Sequence, residues 1–336
     1  MINCLKRLTQ TISFVPIIFY FGNRSLIAFD EGFYALQAKW ILENNNWVAP
    51  MWWGNIYLDR TIGIQYCIAL SQKFLGNTDI GTILPVTLGG IIMLISTYFL
   101  HRELIDNKFP IVSPLILSTT LLWVNYVHMA TQDIIFSAFI TVGIISSIKA
   151  VKTNLNTYLI LSGAWLGLAV MMKTYLAIIP LIAIMPFLFS SKIFKKKYFW
   201  FGILIGFIPF MIWSISIINN YGFDTYLGLH NKLLFLSKNN NFTNPFYYYL
   251  WNMPLNIFPW SIFSIIGLIR SKDLKNNNSK YFLFKYPLII LFLLSLFSTK
   301  TPYYPLQFLP IIALNSYLGM IITIKNKNKL FKHIKI

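Results

Sequence analysis

Of the 336 residues, 56% are hydrophobic and only 11% charged, and mean hydropathy is +0.61, whereas a soluble domain carries about 25% charged residues. These figures exclude an ordinary cytosolic enzyme and a disordered chain. The net charge of +18 would suggest a nucleic-acid partner in a soluble chain, but here the basic residues sit between long apolar runs, so no nucleic acid is expected. Cys4 and Cys67 offer neither a disulfide framework nor zinc-ligand spacing. The chain reads as an all-α, polytopic integral membrane protein.

A helix crosses the hydrocarbon with about 20 apolar residues. Runs of roughly that kind centre on 8–22, 80–100, 110–127, 134–151, 157–172, 174–190, 198–218, 249–269, 282–298 and 303–324, which gives ten expected spans. Bulky Phe19, Tyr20 and Phe21 end the first run where a cleavage site would need small residues, so it is expected to be retained. The apolar stretch 62–75 is too short to cross and suits a helix lying in the interface.

Basic residues set the orientation. With the N-terminus in the cytoplasm, 20 of the 28 basic residues fall inside, and seven of the ten acids fall outside. Treating 62–75 as a span would reverse the bias. Both termini are therefore expected in the cytoplasm, with two long outer segments at 23–79 and 219–248. No soluble domain, linker or repeat is evident. Residues 1–336 read as one transmembrane domain without a soluble C-terminal domain.

The first outer segment opens on Phe29-Asp30-Glu31-Gly32-Phe33-Tyr34. Asp30 is a good helix cap and Glu31 favours a helix N-terminus, which is the plainer reading of the pair taken alone; the chemical alternative is that adjacent carboxylates at an aqueous boundary supply a general base. Next come Trp47, Pro50, Gly54 and Tyr57-Leu58-Asp59-Arg60. Arg60 is one of only five arginines, and a guanidinium suits bidentate phosphate contact; an ion pair with Asp59 or snorkelling to headgroups competes with that reading. Asp133, after Thr131-Gln132, is either a cap or a site residue. Lys173 falls in a tight outer turn, where a headgroup is the plainer partner. Lys300 precedes Pro302-Tyr303-Tyr304, and such a tyrosine pair commonly anchors in the interface. His230 stands alone in the second outer segment, with no metal-ligand spacing around it. These residues all reach the same outer face. Acids and bases gathered above a lipid-facing body suit an anionic, lipid-linked substrate, with acids to activate a hydroxyl and bases to hold phosphate.

In order along the chain, these elements resemble the GT-C membrane glycosyltransferases of the protein mannosyltransferase and aminoarabinose transferase type. The likeness rests on Asp30-Glu31 with Tyr34-Ala35, then Trp47, Pro50, Gly54, Tyr57, Asp59 and a basic residue, Arg60. It continues through Thr131-Gln132-Asp133, Gly167-Leu168-Ala169 with Lys173, Phe258-Pro259-Trp260, and Lys300, Pro302, Tyr304 and Pro310, thus covering residues 26 to 315.

The resemblance implies inverting transfer of a sugar from a polyprenyl-phosphate donor to a lipid, glycan or protein hydroxyl at the outer face, most simply of a bacterial inner membrane. It implies Asp30 as general base, beside Glu31. Arg60, Lys300, Tyr304 and Lys173 fall to the donor phosphate, and Asp59, Asp133, Tyr57 and His230 to orienting the acceptor or a metal; no cofactor is required, and a divalent metal is left open. Two departures stand out. Arg60-Thr61-Ile62 occupies the place of a lysine followed by two prolines, and Phe33 replaces an arginine of the aminoarabinose enzymes, which argues against that sugar. A transporter or flippase for a polyprenyl-linked substrate is the alternative; it would place ionisable groups near the bilayer midplane, where this chain has almost none.

Overall fold

The computed structural model describes residues 25–28, 30–58, 60–106, 108–236 and 243–334. The first expected span and Asp59 lie outside the described residues. What is described is almost wholly helical, as expected.

Two short helices come first, α1 (Glu31–Glu43) and α2 (Gly63–Leu75), with a small hairpin between them, β1 (Met51–Trp52) and β2 (Asn55–Ile56). Tyr34, Ala38 and Ile41 of α1 are buried with Ile64 and Ile68 of α2, and Gln65 donates to Gln37 across the pair at 3.0 Å. Leu70, Phe74 and Leu75 on the other face of α2 stay exposed, as an interfacial helix requires. The bundle follows: α3 (Asp79–Leu104), α4 (Val112–Ser118), α5 (Leu121–Tyr126), α6 (Gln132–Thr153), α7 (Asn156–Lys173), α8 (Ile178–Ser190) and α9 (Lys197–Tyr221). After α10 (Phe223–Leu236), α11 (Tyr248–Asn256) and α12 (Ser261–Ser271), the chain ends in α13 (Asn277–Leu296) and α14 (Leu309–Ile334).

Six stretches among the described residues are long and apolar enough to cross a membrane, or seven if the bent pair α11–α12 counts as one. One of the six, Asn156–Ser190, has 35 residues and as a single helix would run about 52 Å, far beyond the roughly 30 Å hydrocarbon core. It is two passes. Thr174, at φ +44, breaks the helix after Lys173, and the packing of the flanking helices requires the return. A methyl group on Gly163 would lie 2.3 Å from the Phe199 carbonyl oxygen, and one on Gly167 2.2 Å from the Gly206 carbonyl carbon. On α9, a methyl group on Gly202 would lie 2.0 Å from the Ile160 carbonyl oxygen, and one on Gly206 2.1 Å from that of Ala164. Contact levels thus advance together, so α7 and α9 run parallel and touch backbone to backbone, the approach that small residues permit between membrane helices. Only if α8 runs back between them can both start at the same end.

The same logic orients the rest. Gly89 of α3 meets Ile135 of α6, and Glu103 pairs with Lys152 at 2.5 Å, so α3 and α6 are parallel. Lys149 reaches Tyr158 at 3.5 Å while Asp133 meets Lys173, so α6 and α7 are antiparallel. One end of the bundle therefore gathers Asp79, Asp133 and Lys173. The other gathers Lys149, Lys152 and Lys195 to Lys197.

Two expected spans differ from single helices. The run 110–127 divides into α4 and α5 at Thr119–Thr120, and 249–269 divides into α11 and α12, which meet at 117°. Each break satisfies the other. The Leu121 N–H donates to the Phe258 carbonyl at 3.0 Å, and the Trp260 indole N–H donates to the Thr119 hydroxyl at 2.9 Å. In hydrocarbon a freed backbone group needs such a partner.

Candidate active site

At the Asp133 end, α1 begins at Asp30, whose side chain makes no capping hydrogen bond and is exposed. The cap reading of Asp30 therefore gives way. Glu31 does the opposite. It is fully buried, and its carboxylate accepts the Ile27 N–H at 3.0 Å and the Ala130 N–H at 2.8 Å. That side chain ties the segment before α1 to the segment before α6, setting Asp30 beside the N-terminus of α6.

Asp133 lies in the first turn of α6, after the N-cap Thr131. It is not a cap either: one oxygen binds the Lys173 ammonium and the other accepts the Thr131 hydroxyl at 3.1 Å. Lys173 faces the rings of Tyr303 at 4.8 Å and Tyr304 at 5.2 Å, so an aromatic wall and an ion pair surround it, and a lipid headgroup is not its partner. Burial, then the charge of Asp133, pushes the Tyr303 phenol above its ordinary range.

Arg60 arrives from the other side. Its guanidinium donates to the Tyr34 hydroxyl and lies 5.4 Å above that ring. The next residue, Thr61, meets Thr174 at 3.3 Å, joining the Arg60 loop to the turn that follows Lys173. Tyr57 packs edge-on against Phe33 at 5.3 Å, with the Lys232 ammonium of α10 4.5 Å from its ring. Phe33 belongs to an aromatic cluster with Trp52 and Tyr34.

Lys300 is 4% exposed and donates to the carbonyls of Asn244 at 2.9 Å and Phe297 at 2.5 Å. An ammonium has three donors, so one remains. Desolvation lowers its pKa. Together with the Thr243–Thr299 bridge, these bonds fasten the turn that delivers Tyr303 and Tyr304. His230 stands further out on α10, 2.5 Å from the Tyr175 hydroxyl and 4.5 Å from the Tyr226 ring centroid.

The structure thus brings Asp30, Glu31, Arg60, Asp133, Lys173, Tyr303 and Tyr304 to one end of the bundle, holds Lys300 just behind, and sets His230 to the side. Sequence reasoning passed over Tyr126, whose phenol lies in the field of both Asp133 and Asp30; a tyrosine ending an apolar run carries no signal beyond an interfacial anchor. A divalent metal does not fit the described residues. No three His, Cys, Asp or Glu side chains among them converge, and the carboxylates of Glu31 and Asp133 are already engaged. An apolar groove of about 500 Å³, lined by Leu70, Leu88 and Phe139 among others, opens elsewhere, between α2, α3 and α6.

Comparison with known proteins agrees with this architecture. The family model described as dolichyl-phosphate-mannose-protein mannosyltransferase matches residues 59–215. The undecaprenyl phosphate-alpha-4-amino-4-deoxy-L-arabinose arabinosyl transferase of Wigglesworthia glossinidia brevipalpis is 25% identical over 98% of this chain and 62% of its own length. That of Edwardsiella ictaluri is 23% identical over 74% of this chain and 48% of its own. The chain thus spans about half to three-fifths of the length of these relatives. Among solved structures, ArnT from Cupriavidus metallidurans bound to undecaprenyl phosphate superposes with a TM-score of 0.77 at 14% identity, over 93% of this chain and 59% of that one. The Archaeoglobus fulgidus oligosaccharyltransferase gives 0.64 at 13% identity, over 99% and 51%. These likenesses establish the fold.

Proposed function

We propose that the chain is a GT-C membrane transferase of the protein mannosyltransferase and aminoarabinose transferase type, to which it is similar in sequence, and that it transfers a sugar from a polyprenyl-phosphate donor to an acceptor hydroxyl, with inversion, at the outer face of a bacterial inner membrane. The observation that carries the reading is the gathering of Asp30, Arg60 and the Asp133–Lys173 pair at the end of the bundle opposite its lysine-rich end. Positive-inside bias makes the lysine-rich end cytoplasmic and the site end external.

Asp30, exposed and without a cap bond, acts as the base. The acceptor oxygen attacks the anomeric carbon as its proton passes to the Asp30 carboxylate. The new C–O bond forms on the face opposite the leaving group, and the bond to the phosphate oxygen breaks with its electron pair. Polyprenyl phosphate leaves with added negative charge, which Arg60 receives, supported by Lys173, the remaining Lys300 donor and the Tyr304 hydroxyl. Fixed charges aimed at developing charge lower the barrier because they need no reorganisation. Glu31 holds the loop that carries the base, and Asp133 fixes Lys173. Tyr57 and His230, on the rim, orient the acceptor, which is a lipid, glycan or protein hydroxyl, and Asp59 is assigned to the same task from the sequence.

The test is an assay on the purified chain in nanodiscs, offered polyprenyl-phosphate-linked hexoses and pentoses. Acceptor-dependent release of polyprenyl phosphate, with the anomeric configuration inverted in the product, is expected. Transbilayer movement of the intact donor without cleavage would favour a flippase instead.

A further inference from the structure

The β1–β2 hairpin turns on Trp53 and Gly54, whose φ angles are +50 and +78. A two-residue turn with two positive φ angles favours asparagine or aspartate at its first position, and a bulky side chain there is an outlier. Trp53 nonetheless takes that place and is 77% exposed. Its ring ends a row of aromatic side chains that starts at the candidate site. The Tyr34 ring, over which Arg60 lies, is 5.8 Å from Phe33, and Phe33 is 4.7 Å from Trp52. Trp52 in turn is 5.9 Å from Trp40 and 6.2 Å from Trp53. Phe33 follows Asp30 by about one helical turn and Trp40 follows Phe33 by about two, so the row extends about 15 Å along α1 from Asp30.

Polar groups rim this row. The solvated Lys39–Glu43 ion pair, at 3.5 Å, stands beside Trp40 on α1, and the exposed Asn44 amide donates to the Trp40 carbonyl at 3.1 Å. Asn55 follows the turn and is exposed. The Lys232 ammonium lies 4.5 Å from the Tyr57 ring, which packs on Phe33. Sinking the tip into hydrocarbon would strip water from the Asn55 amide, at a cost. Aromatic faces rimmed by amides and charges suit a saccharide. A pyranose has a flat face of C–H groups that lies against an indole, which is apolar across its ring, and a rim of hydroxyls that pairs with amide and ammonium groups. A hydrocarbon chain would use the rings and leave the rim idle. We propose that Phe33, Trp40, Trp52 and Trp53 form a docking strip for a glycan acceptor. The sugar rings beyond the reacting hydroxyl lie along the strip while that hydroxyl reaches Asp30. The proposal rests on the transferase reading and narrows its acceptor to a glycan-bearing molecule.

The test measures binding apart from transfer. The full chain in nanodiscs is titrated with glucose, mannose and N-acetylglucosamine, and with a linear tetrasaccharide of each, followed by saturation-transfer NMR; thermal unfolding controls for the fold. At least one tetrasaccharide should bind, and more tightly than its monosaccharide. Trp53→Ala should weaken that binding about tenfold, the scale of one aromatic contact. Trp53→Tyr should keep most of the affinity and Trp53→Leu should not, because leucine has no flat face. Binding of none of the tetrasaccharides would overturn the proposal, and so would equal binding by the wild type and Trp53→Ala. A nitroxide on Trp53→Cys, in a background of Cys4→Ser and Cys67→Ser, should be more accessible to a water-soluble relaxation agent than to oxygen. The reverse would overturn the proposal and make the tip a bilayer anchor. Failure of the transferase reading looks different: tetrasaccharide binding would persist while no polyprenyl phosphate is released, leaving the strip as a glycan-binding surface.

Discussion

Lys173 and Asp133, 40 residues apart in sequence, meet as an ion pair in which each side chain is only 8% exposed. The pair joins the C-terminal end of α7 to the first turn of α6, and Tyr303 and Tyr304 close over it. Lys173 therefore reaches the site with its charge already balanced by Asp133.

Breaking a buried pair strands a charge, at a cost of about 3–5 kcal/mol. Lys173→Met should destabilise the protein by an amount of that order in denaturant unfolding. Asp133→Asn combined with Lys173→Met should recover much of it, since no charge is left alone. Equal stability of the wild type and Lys173→Met would show that the pair does not hold α6 to α7.

Arg60 should behave differently. Its loss removes a charge-assisted contact of about 1.5–3 kcal/mol, so Arg60→Ala should raise donor KM roughly 10- to 100-fold. Acceptor KM should stay near its wild-type value. Tyr34→Phe, which removes the hydroxyl that Arg60 holds, serves as control and should have a smaller effect. Unchanged donor kinetics in Arg60→Ala would return that residue to an interfacial anchor.

Glu31 is a stability prediction before it is a catalytic one. Removing its carboxylate leaves two backbone N–H groups without an acceptor, each costing about 1–3 kcal/mol when buried. Glu31→Ala should therefore lower the melting temperature markedly. Glu31→Gln, which still offers one carbonyl oxygen, should lower it less. Hydrogen exchange should locate the loss at the Ile27 and Ala130 amides, and full protection there in Glu31→Ala would contradict the account.

The His230 side chain carries a pH dependence. Desolvation lowers its pKa below the ordinary histidine value of about 6.5, so between the folded and unfolded values the unfolded chain binds more protons. Stability then rises with pH through that window and is lost as pH falls below about 6.5. Limited proteolysis near α10 should accelerate on acidification in the wild type and change less in His230→Gln. Identical acid sensitivity in the two proteins would remove His230 from this role.

Much of the site was legible in the sequence because charge is scarce in this chain and membrane placement makes each charged residue conspicuous. Asp30, Glu31, Arg60, Asp133 and Lys173 stood out for that reason, and the structure brings them together. Their partners were less legible. Whether Asp133 caps a helix or pairs with a lysine depends on α7 folding back along α6, which no local pattern states. The turn after Lys173 was evident from two apolar runs separated by one lysine. The break at Thr119 was not, because the groups that stabilise it, Phe258 and Trp260, lie about 140 residues away. Nor could the sequence tell that Lys300 would spend two of its donors on backbone carbonyls.

Sugar transfer at this end of the bundle with Asp30 as the base makes a sharp demand on one substitution. The most direct measurement is acceptor-dependent release of polyprenyl phosphate by the wild type and by Asp30→Asn, purified side by side. Asp30 makes no cap bond and is exposed, so the substitution should leave stability within about 0.5 kcal/mol, as at other surface positions. The rate should fall about 10²–10⁴-fold, the usual contribution of a general base. A well-folded Asp30→Asn protein that releases polyprenyl phosphate at the wild-type rate would contradict the account.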